Sequence, residues 1–483
     1  MRLLKTCLFL CALLMLFSCS DDDSFTTSRG NLLTFSTDTV SLDTVFSNVP
    51  TVTKTFWAFN RSGDGIRCAN IRLDHGNQTG YRVNVDGTYL GSTNGYQINA
   101  VEIRNKDSIR VFVELTSTQT FEDNPKLLED DLVFTLESGV VQRVNLRAFS
   151  WDALQYNHVE IKKDSIIMSQ KPIIIYGGIV VDSLATLTIG AGTTLYFHND
   201  AGIDVYGKLI CDGAPNANVV LRGDRIDRMF DYLPYDNVSG QWKGIHIHES
   251  SYDNVISYTD IHSTFDGIVI DSCDVERMTL SLVSSTVHNC QGYGVLANHC
   301  QSQIMNCQIT NTLNDCLLVQ GGRMTVNNTT LAQFYPFDAN RGVALRFSAR
   351  QYPLDSFTCL NTLVTGYADD EMMGEPSDTA AFNYHFNHCI IRTPAITNED
   401  SVNFVGVVYE DIEDTTMYGR KHFVLVDHAQ QRYDFHLDSI SAAIDKADVN
   451  TSLPLDRDGV MRDAAPDVGC FERIKIDSNN KQP

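Results

Sequence analysis

From Leu32 to Trp151 short apolar runs alternate with turn residues: Val45-Phe46, Val52 to Phe59, Ile66 to Leu73, Tyr81 to Val85, Ile103 to Leu115, Leu132 to Leu136 and Val140 to Phe149. β-Branched and aromatic side chains at a period of two, bounded by Gly, Asn and Asp, predict about seven strands over residues 31–151, the complement of a two-sheet sandwich. After Trp151 the pattern changes. Val287, Ile309 and Leu331 are spaced by 22 residues, as are Leu282, Ile304 and Val326, and Gly294-Val295-Leu296 is answered by Cys316-Leu317-Leu318 at the same interval. A unit this short cannot bury its own apolar side, so successive units must stack and share one interior. The expectation is an all-β chain: a sandwich, then a coil of parallel strands over residues 152–455, then a cap and tail over 456–483.

One corner of each turn carries a tetrapeptide frame: Ser284-x-x-Val287, Asn306-x-x-Ile309, Asn328-x-x-Leu331, Asn361-x-x-Val364 and Asn387-x-x-Ile390. Asn tolerates left-handed backbone, and its amide can bond the same amide one turn away, so the ladder is expected to be structural.

Upstream, Gly178-Ile179-Val180-Val181, Leu187 to Thr193, Ile203 to Leu209 and Trp242-Lys243-Gly244-Ile245 resemble the right-handed parallel β-helix repeats of bacterial surface proteins. The resemblance runs from about Pro172 to Cys470 and implies a right-handed coil, the hand that parallel crossovers favour. Asp434 to Leu437, Ala442 to Asp445, Asp456-Arg457-Asp458-Gly459 and Pro466-Asp467-Val468-Gly469 resemble that family's closing segment. Asp456-x-Asp458-Gly459 lacks the further ligands of a calcium loop and reads as a turn. Thr53 to Asn60 followed by Asp107 to Val113 resembles the immunoglobulin-like modules of the same surface proteins, which serve as spacers.

Residues 1–18 begin with Arg2 and Lys5 and continue as an apolar run too short to span a bilayer, the form of a signal peptide. The run ends in Leu16-Phe17-Ser18-Cys19, which resembles the bacterial lipobox and implies lipidation of Cys19. Ser20-Asp21-Asp22-Asp23 resembles the surface-export signal of Bacteroidota lipoproteins, so residues 19–30 are expected to form a lipidated, acidic tether and the body to lie outside the outer membrane. Acyl chains on Cys19 anchor without a spanning helix. Asp-(Ser/Thr) followed by a small or aliphatic residue, as at Ser108, Ser183 and Thr379, resembles the O-glycosylation acceptor of such exported proteins.

Removing residues 1–18 takes the formal charge from −23 to −25, which repels phosphate backbones and excludes nucleic acid as an expected partner. Ten of the 13 cysteines remain after Cys7 and Cys11 leave and Cys19 is lipidated; they show no Cys-x-x-Cys pair and no Cys/His zinc spacing, so neither a structural metal nor a cofactor is expected.

Enzymes of polysaccharide breakdown use this fold, but fold does not carry function. The polygalacturonase-type set fails, because no Gly-His-Gly exists and Arg473-Ile474-Lys475 falls beyond the closing segment. For a lyase, Asp338, Arg341, Arg346, Arg350, Asp369, Asp370 and Glu371 supply residue types without a recognisable spacing, so no catalytic residue is assigned. His246 and His248 flank Ile247, and Asp260 and His262 flank Ile261; with both isoleucines inward, the four polar side chains are expected to project outward together as a candidate cluster. Two apparent insertions, Asp227 to Gly240 and Phe334 to Tyr352, supply Tyr232, Tyr235, Tyr335, Phe337 and Tyr352 as candidate binding aromatics, able to stack on sugars, to dock proteins or to fold back onto the coil. The expectation is a non-enzymatic surface lipoprotein whose rod binds a glycan or an outer-membrane protein. A polysaccharide lyase or glycoside hydrolase, and a structural subunit of an outer-membrane complex, are the alternatives.

Overall fold

The period-two pattern of the N-terminal part is realised as two five-stranded sheets around one core, in a computed structural model that describes residues 24–230 and 232–474. The signal segment 1–18 and Cys19 lie outside the described residues. One sheet runs Leu33–Phe35, Lys54–Asn60, Ser108–Leu115, Tyr81–Val85, Thr88–Tyr89; the other runs Thr39–Phe46, Val141–Trp151, Lys126–Leu136, Ile66–Leu73, Gln97–Ile103. Ile103 to Leu115, expected as one strand, is two: the chain turns at Lys106, whose φ is 64°. Asn60, at the end of its strand, is buried and donates from Nδ2 to the carbonyls of Asp64, Ile103 and Arg104, which ties the two sheets' connections together. The expected tether is already docked at its C-terminal end, where Thr26 N–H donates to Gly65 O at 2.9 Å and the Phe25 ring lies 4.3 Å from the Arg67 guanidinium.

The chain divides into two compact units between Asp152 and Ala153. The second unit is a right-handed parallel β-helix. Its strands stack into three parallel ladders. The first follows Ser165–Ile167, Thr186–Gly190 and Lys208–Asp212 through to Phe404–Val405. The second passes through Thr194–Phe197, Val219–Gly223, Thr259–His262, Thr286–Cys290, Gln308–Thr312, Thr330–Gln333 and Leu363–Gly366. The third passes through Ile203–Val205, Ile245–Ile247 and Ile268–Ile270 into the N-terminal half of Val295–Met305. The 22-residue register holds: Val287 pairs with Ile309 and Ile309 with Leu331, all fully buried. Burying apolar area contributes about 25 cal/mol per Å², and each inward column adds its share along the whole coil.

The corner ladder is real but shifted at one rung. Ser284, Asn306, Asn328 and Asn361 all have positive φ, and the next member is His388 at 49°, not Asn387, which pairs with Leu360 one position earlier. Nor do the amides mainly bond one another. Asn306 Nδ2 donates to Leu455 O, Asn328 Oδ1 accepts from Leu453 N–H, and Asn361 Oδ1 accepts from Asp448 N–H.

These partners belong to the closing segment, which runs along the flank of the coil and not simply beyond its last turn. Residues 448–457 pass the corners of successive rungs back to Thr286, and residues 462–470 return to Thr330 and Asn361. Its motif residues build it from within. Asp456 accepts from the N–H groups of Asp458, Val460 and Glu472, and buried Arg462 donates to Glu472, Asn306 and the carbonyls of Asp467 and Gly469. With the hairpin of Phe423–Asp427 and Arg432–Leu437, it covers Ala332, Phe334, Leu363 and Ile390, a second apolar cluster on the outside of the second ladder. Among the described residues no helix is long and apolar enough to cross a membrane.

Candidate functional site

The outward side of the second ladder carries the polar column Arg222, His262, His288 and Thr310, and from Ala332 onward it is covered by the C-terminal hairpin, which packs with Ala332, Phe334, Leu363 and Ile390. Where cover ends, a cleft of about 590 Å³ opens. Its floor is His288, Asn289, Gln308, Thr310 and Asn311 on two adjacent strands; its walls are Asn237 from the first insertion and Leu425, Gln431, Tyr433, Asp434, Phe435, His436 and Phe471 from the C-terminal segment. Asn289 and Asn311 hold the left-handed corner with φ of 53° and 57°. Asn311 Oδ1 is buried, lines this cleft, and has no hydrogen-bond partner. A buried acceptor left unpaired costs about 1–3 kcal/mol, so a donor that reached Asn311 Oδ1 from the cleft would remove that cost.

At the rim, His436 Nε2 meets Asp458 at 3.0 Å and its Nδ1 meets Asp434 at 2.6 Å, while its ring stacks on Phe471 at 4.0 Å. The hydrogen bond to Asp458, with that to Asp434, lifts its pKa to about 9, so the rim carries an imidazolium at neutral pH.

Behind the floor, His262 is sandwiched between two carboxylates, Nδ1 to Asp260 at 3.0 Å and Nε2 to Asp236 at 2.8 Å. His288 Nε2 shares the same Asp260 oxygen at 3.1 Å, and Arg222 pairs with Asp236 at 2.7 Å. Burial alone would lower the His262 pKa, but the charges of Asp260 and Asp236 and the bonds they accept outweigh it and raise it to about 9. The network pins the first insertion, through Asp236, onto the coil.

The four polar residues expected to project together separate onto two faces. His246 and His248 stand on the third ladder beside Asp204, whereas Asp260 and His262 stand on the second. Both intervening isoleucines are inward, as the alternation requires, but the two strands lie within a single turn of the coil and occupy different sides of it. The binding aromatics also part. Tyr232 and Phe337 are exposed. Tyr235 lies under the Arg225 guanidinium at 3.7 Å, Tyr352 stacks on His299 at 5.0 Å, and buried Tyr335 bonds Ser239 at 2.8 Å, which joins the two insertions. The second insertion is also shorter than expected, since Leu345–Ser348 is an ordinary strand of the third ladder.

The lyase-type residues are engaged elsewhere: Arg346 holds Asp315 at 2.7 Å and Glu375 at 3.1 Å, and fully buried Glu371 accepts the N–H groups of Ala344 and Ala368. Sequence reading did not single out His288, Asn311, Tyr433 or His436 as a group. The available signal was the 22-residue spacing of Asn289 and Asn311, which marks a second corner.

The class this architecture defines is the right-handed β-helix, and the profile described as the right-handed β-helix region matches residues 157–331. No curated protein matches the chain. Among solved structures, a protein of unknown function from Porphyromonas gingivalis W83 is similar over 26% of this chain and 59% of its own, at 11% identity and a TM-score of 0.19. The chain thus spans less than two thirds of that structure's length, and so slight a likeness bears on neither fold nor function.

Proposed function

We propose that this is a lipid-anchored outer-membrane protein, carried to the cell surface on Cys19, that binds a glycan in the cleft beneath the C-terminal hairpin. The observation that supports this most is the unpaired, buried Oδ1 of Asn311 in a cleft of about 590 Å³, a volume within the range that holds small ligands. Gln308, Thr310 and Asn289 offer further polar groups on rigid strands, and Tyr433 gives an amphipathic ring. A sugar supplies what such a cleft selects: hydroxyl donors for Asn311 and apolar ring faces for the aromatic wall. The anionic surface favours neutral glycans, or acidic ones that meet His436 and Arg432 at the rim.

Purified protein is screened against neutral and acidic polysaccharides, with retention and product release both measured. Retention without release, weakened about tenfold or more by Asn311→Leu or Tyr433→Ala, is the expected result. Release of reducing or unsaturated ends identifies a hydrolase or lyase instead. No retention on any glycan, with co-purification of an outer-membrane protein, replaces the reading by the structural-subunit alternative.

A further inference from the structure

Asp204, His246, His248 and Asp271 gather on the outward side of the third ladder by register alone. Asp204 pairs with His246, while the N–H of His248 donates to Val205 O and that of Asp271 to Ile247 O, so His248 and Asp271 fall on neighbouring rungs. The two imidazoles lie side by side with centroids 4.0 Å apart and planes 29° off parallel. Asp271 spans one edge of the pair: its Oδ1 is 2.9 Å from His246 Nε2 and its Oδ2 is 3.4 Å from His248 Nδ1. The opposite edge faces Asp204, whose Oδ1 lies 3.0 Å from His248 Nε2 and 4.0 Å from His246 Nδ1.

That division of labour has a chemical consequence. His246 meets Asp271 through Nε2 at hydrogen-bond distance, which leaves its Nδ1 to accept; His248 meets Asp204 through Nε2 at 3.0 Å, so a cation entering there takes the place of that proton, and the Nδ1–H of His248 then turns to Asp271 at 3.4 Å. Three acceptors then converge with no proton between them. One ligand atom from each of Asp204, His246 and His248 lies within 4.8 Å of the others. In a tetrahedral zinc site with bonds of about 2.0–2.1 Å the ligand atoms stand ~3.3 Å apart, between the two separations seen here. A carboxylate on the far nitrogen of each ligating histidine is the outer shell that metal sites use to set tautomer and basicity. Independently, Asp204 and His246 line a separate pocket of about 210 Å³ with Lys243, Phe265 and Asp266, so an ion there is open to solvent and to an incoming ligand. The second histidine group differs in burial and closeness of its partners: His262 is buried, and both of its nitrogens meet carboxylates at hydrogen-bond distance, Asp260 at 3.0 Å and Asp236 at 2.8 Å.

We propose that Asp204, His246 and His248 form a divalent transition-metal site of the zinc type, with Asp271 as the positioning residue behind both histidines. Two imidazoles and one carboxylate suit Zn²⁺, and three protein ligands leave a position for water or an anionic donor. The site lies on a different ladder from the proposed glycan cleft and stands or falls apart from it.

The test is calorimetric titration of the full chain, stripped with chelator and dialysed, with ZnCl₂, and a parallel titration with Co²⁺ read by visible absorption. One equivalent of Zn²⁺ binds to the unaltered protein. His248→Ala and Asp204→Ala weaken that equivalent at least 100-fold, Asp271→Asn weakens it about 10–100-fold, and His262→Ala leaves it unchanged. Should His248→Ala disturb its stacking on Tyr206 and the fold with it, His246→Gln, at a partly exposed ring, replaces it, with circular dichroism as the check. Absence of a one-equivalent step overturns the proposal. So does a step that survives both histidine substitutions, or one that His262→Ala abolishes.

Discussion

The side-chain oxygen of Asn328 accepts the backbone N–H of Leu453 at 2.9 Å, a bond between residues 125 apart in sequence. Of its neighbours in the corner ladder, Asn361 accepts the N–H of Asp448 and Asn306 donates to Leu455 O, so a row of asparagines needed for a left-handed bend also supplies the docking groups for the closing segment, which lies along the coil as a strap. Two demands, backbone conformation and side-chain acceptor, select one residue type at one place.

Asn361 separates the two demands. It holds φ at 46°, donates to Asn327 Oδ1 and Thr451 Oγ1 at 3.0 Å each, and accepts from Asp448 N–H at 2.7 Å. Asn361→Ala loses the bonds and strains the corner, at about 2–4 kcal/mol. Asn361→Gly relaxes the corner but still loses the bonds, and should recover about 1 kcal/mol of that. Urea denaturation measures both, and amide exchange over 448–455 should rise equally in the two variants. Equal stability of Ala and Gly at this position would show that the bend costs nothing.

Removing the strap exposes apolar surface. Leu363, Ile390, Ala332 and Phe334 share one apolar cluster with Phe423 and Phe435 of the hairpin and with Ala443, Val468, Cys470 and Phe471 of the strap, and only the latter four leave with the strap. Truncation after Asp438 should leave a chain that associates, because an uncovered apolar face on exposed parallel strands is an aggregation site. Light scattering on the truncated and full chains at equal concentration checks this. A monomeric truncated chain would mean that the strap is dispensable for solubility.

The fold was legible where one feature repeats. Val287, Ile309 and Leu331 carry the 22-residue interval in their inward side chains, and stacking successive turns buries all of them. The register failed at the last corner because His388-Cys389-Ile390-Ile391 offers aliphatic residues at both phases: Ile391 points inward and Ile390 outward beneath the strap. A one-residue slip is invisible when both faces are apolar. The cleft was not legible, since its floor and its C-terminal wall lie more than 100 residues apart and meet only through strap docking. His246 and Asp260 were grouped for a similar reason: alternation tells inward from outward but not which of three faces a strand occupies.

The His262 network should make the first insertion sensitive to alkali. The groups facing His262 are Asp260, Asp236, His288 and, through Asp236, Arg222. Its folded pKa of about 9 exceeds the ordinary value near 6.5, so its stabilisation is complete below about pH 6.5 and is lost as pH rises through 9. With Asp236 partly exposed, the loss is on the order of 1–3 kcal/mol. Amide exchange over residues 232–240, corrected for intrinsic rates, should show less protection at pH 10 than at pH 7. His262→Gln should remove that difference, and equal protection at both pH values in the unaltered protein would contradict the assignment.

Trp242 ties the core to that network. Its ring is 1% exposed and stacks on Phe197 at 4.2 Å with planes 9° apart, while its Nε1–H donates to His262 O at 2.8 Å. Trp242→Ala leaves a cavity and an unpaired carbonyl, at about 3–5 kcal/mol. Trp242→Phe keeps most of the packing, loses the donor, and should cost about 1–3 kcal/mol. Because the lost bond anchors the His262 backbone, Trp242→Phe should also raise exchange at residues 232–240 at pH 7, where His262 is still charged. Global destabilisation with no local change in that insertion would show that the ring matters only as filling and that the bond to His262 holds nothing in place.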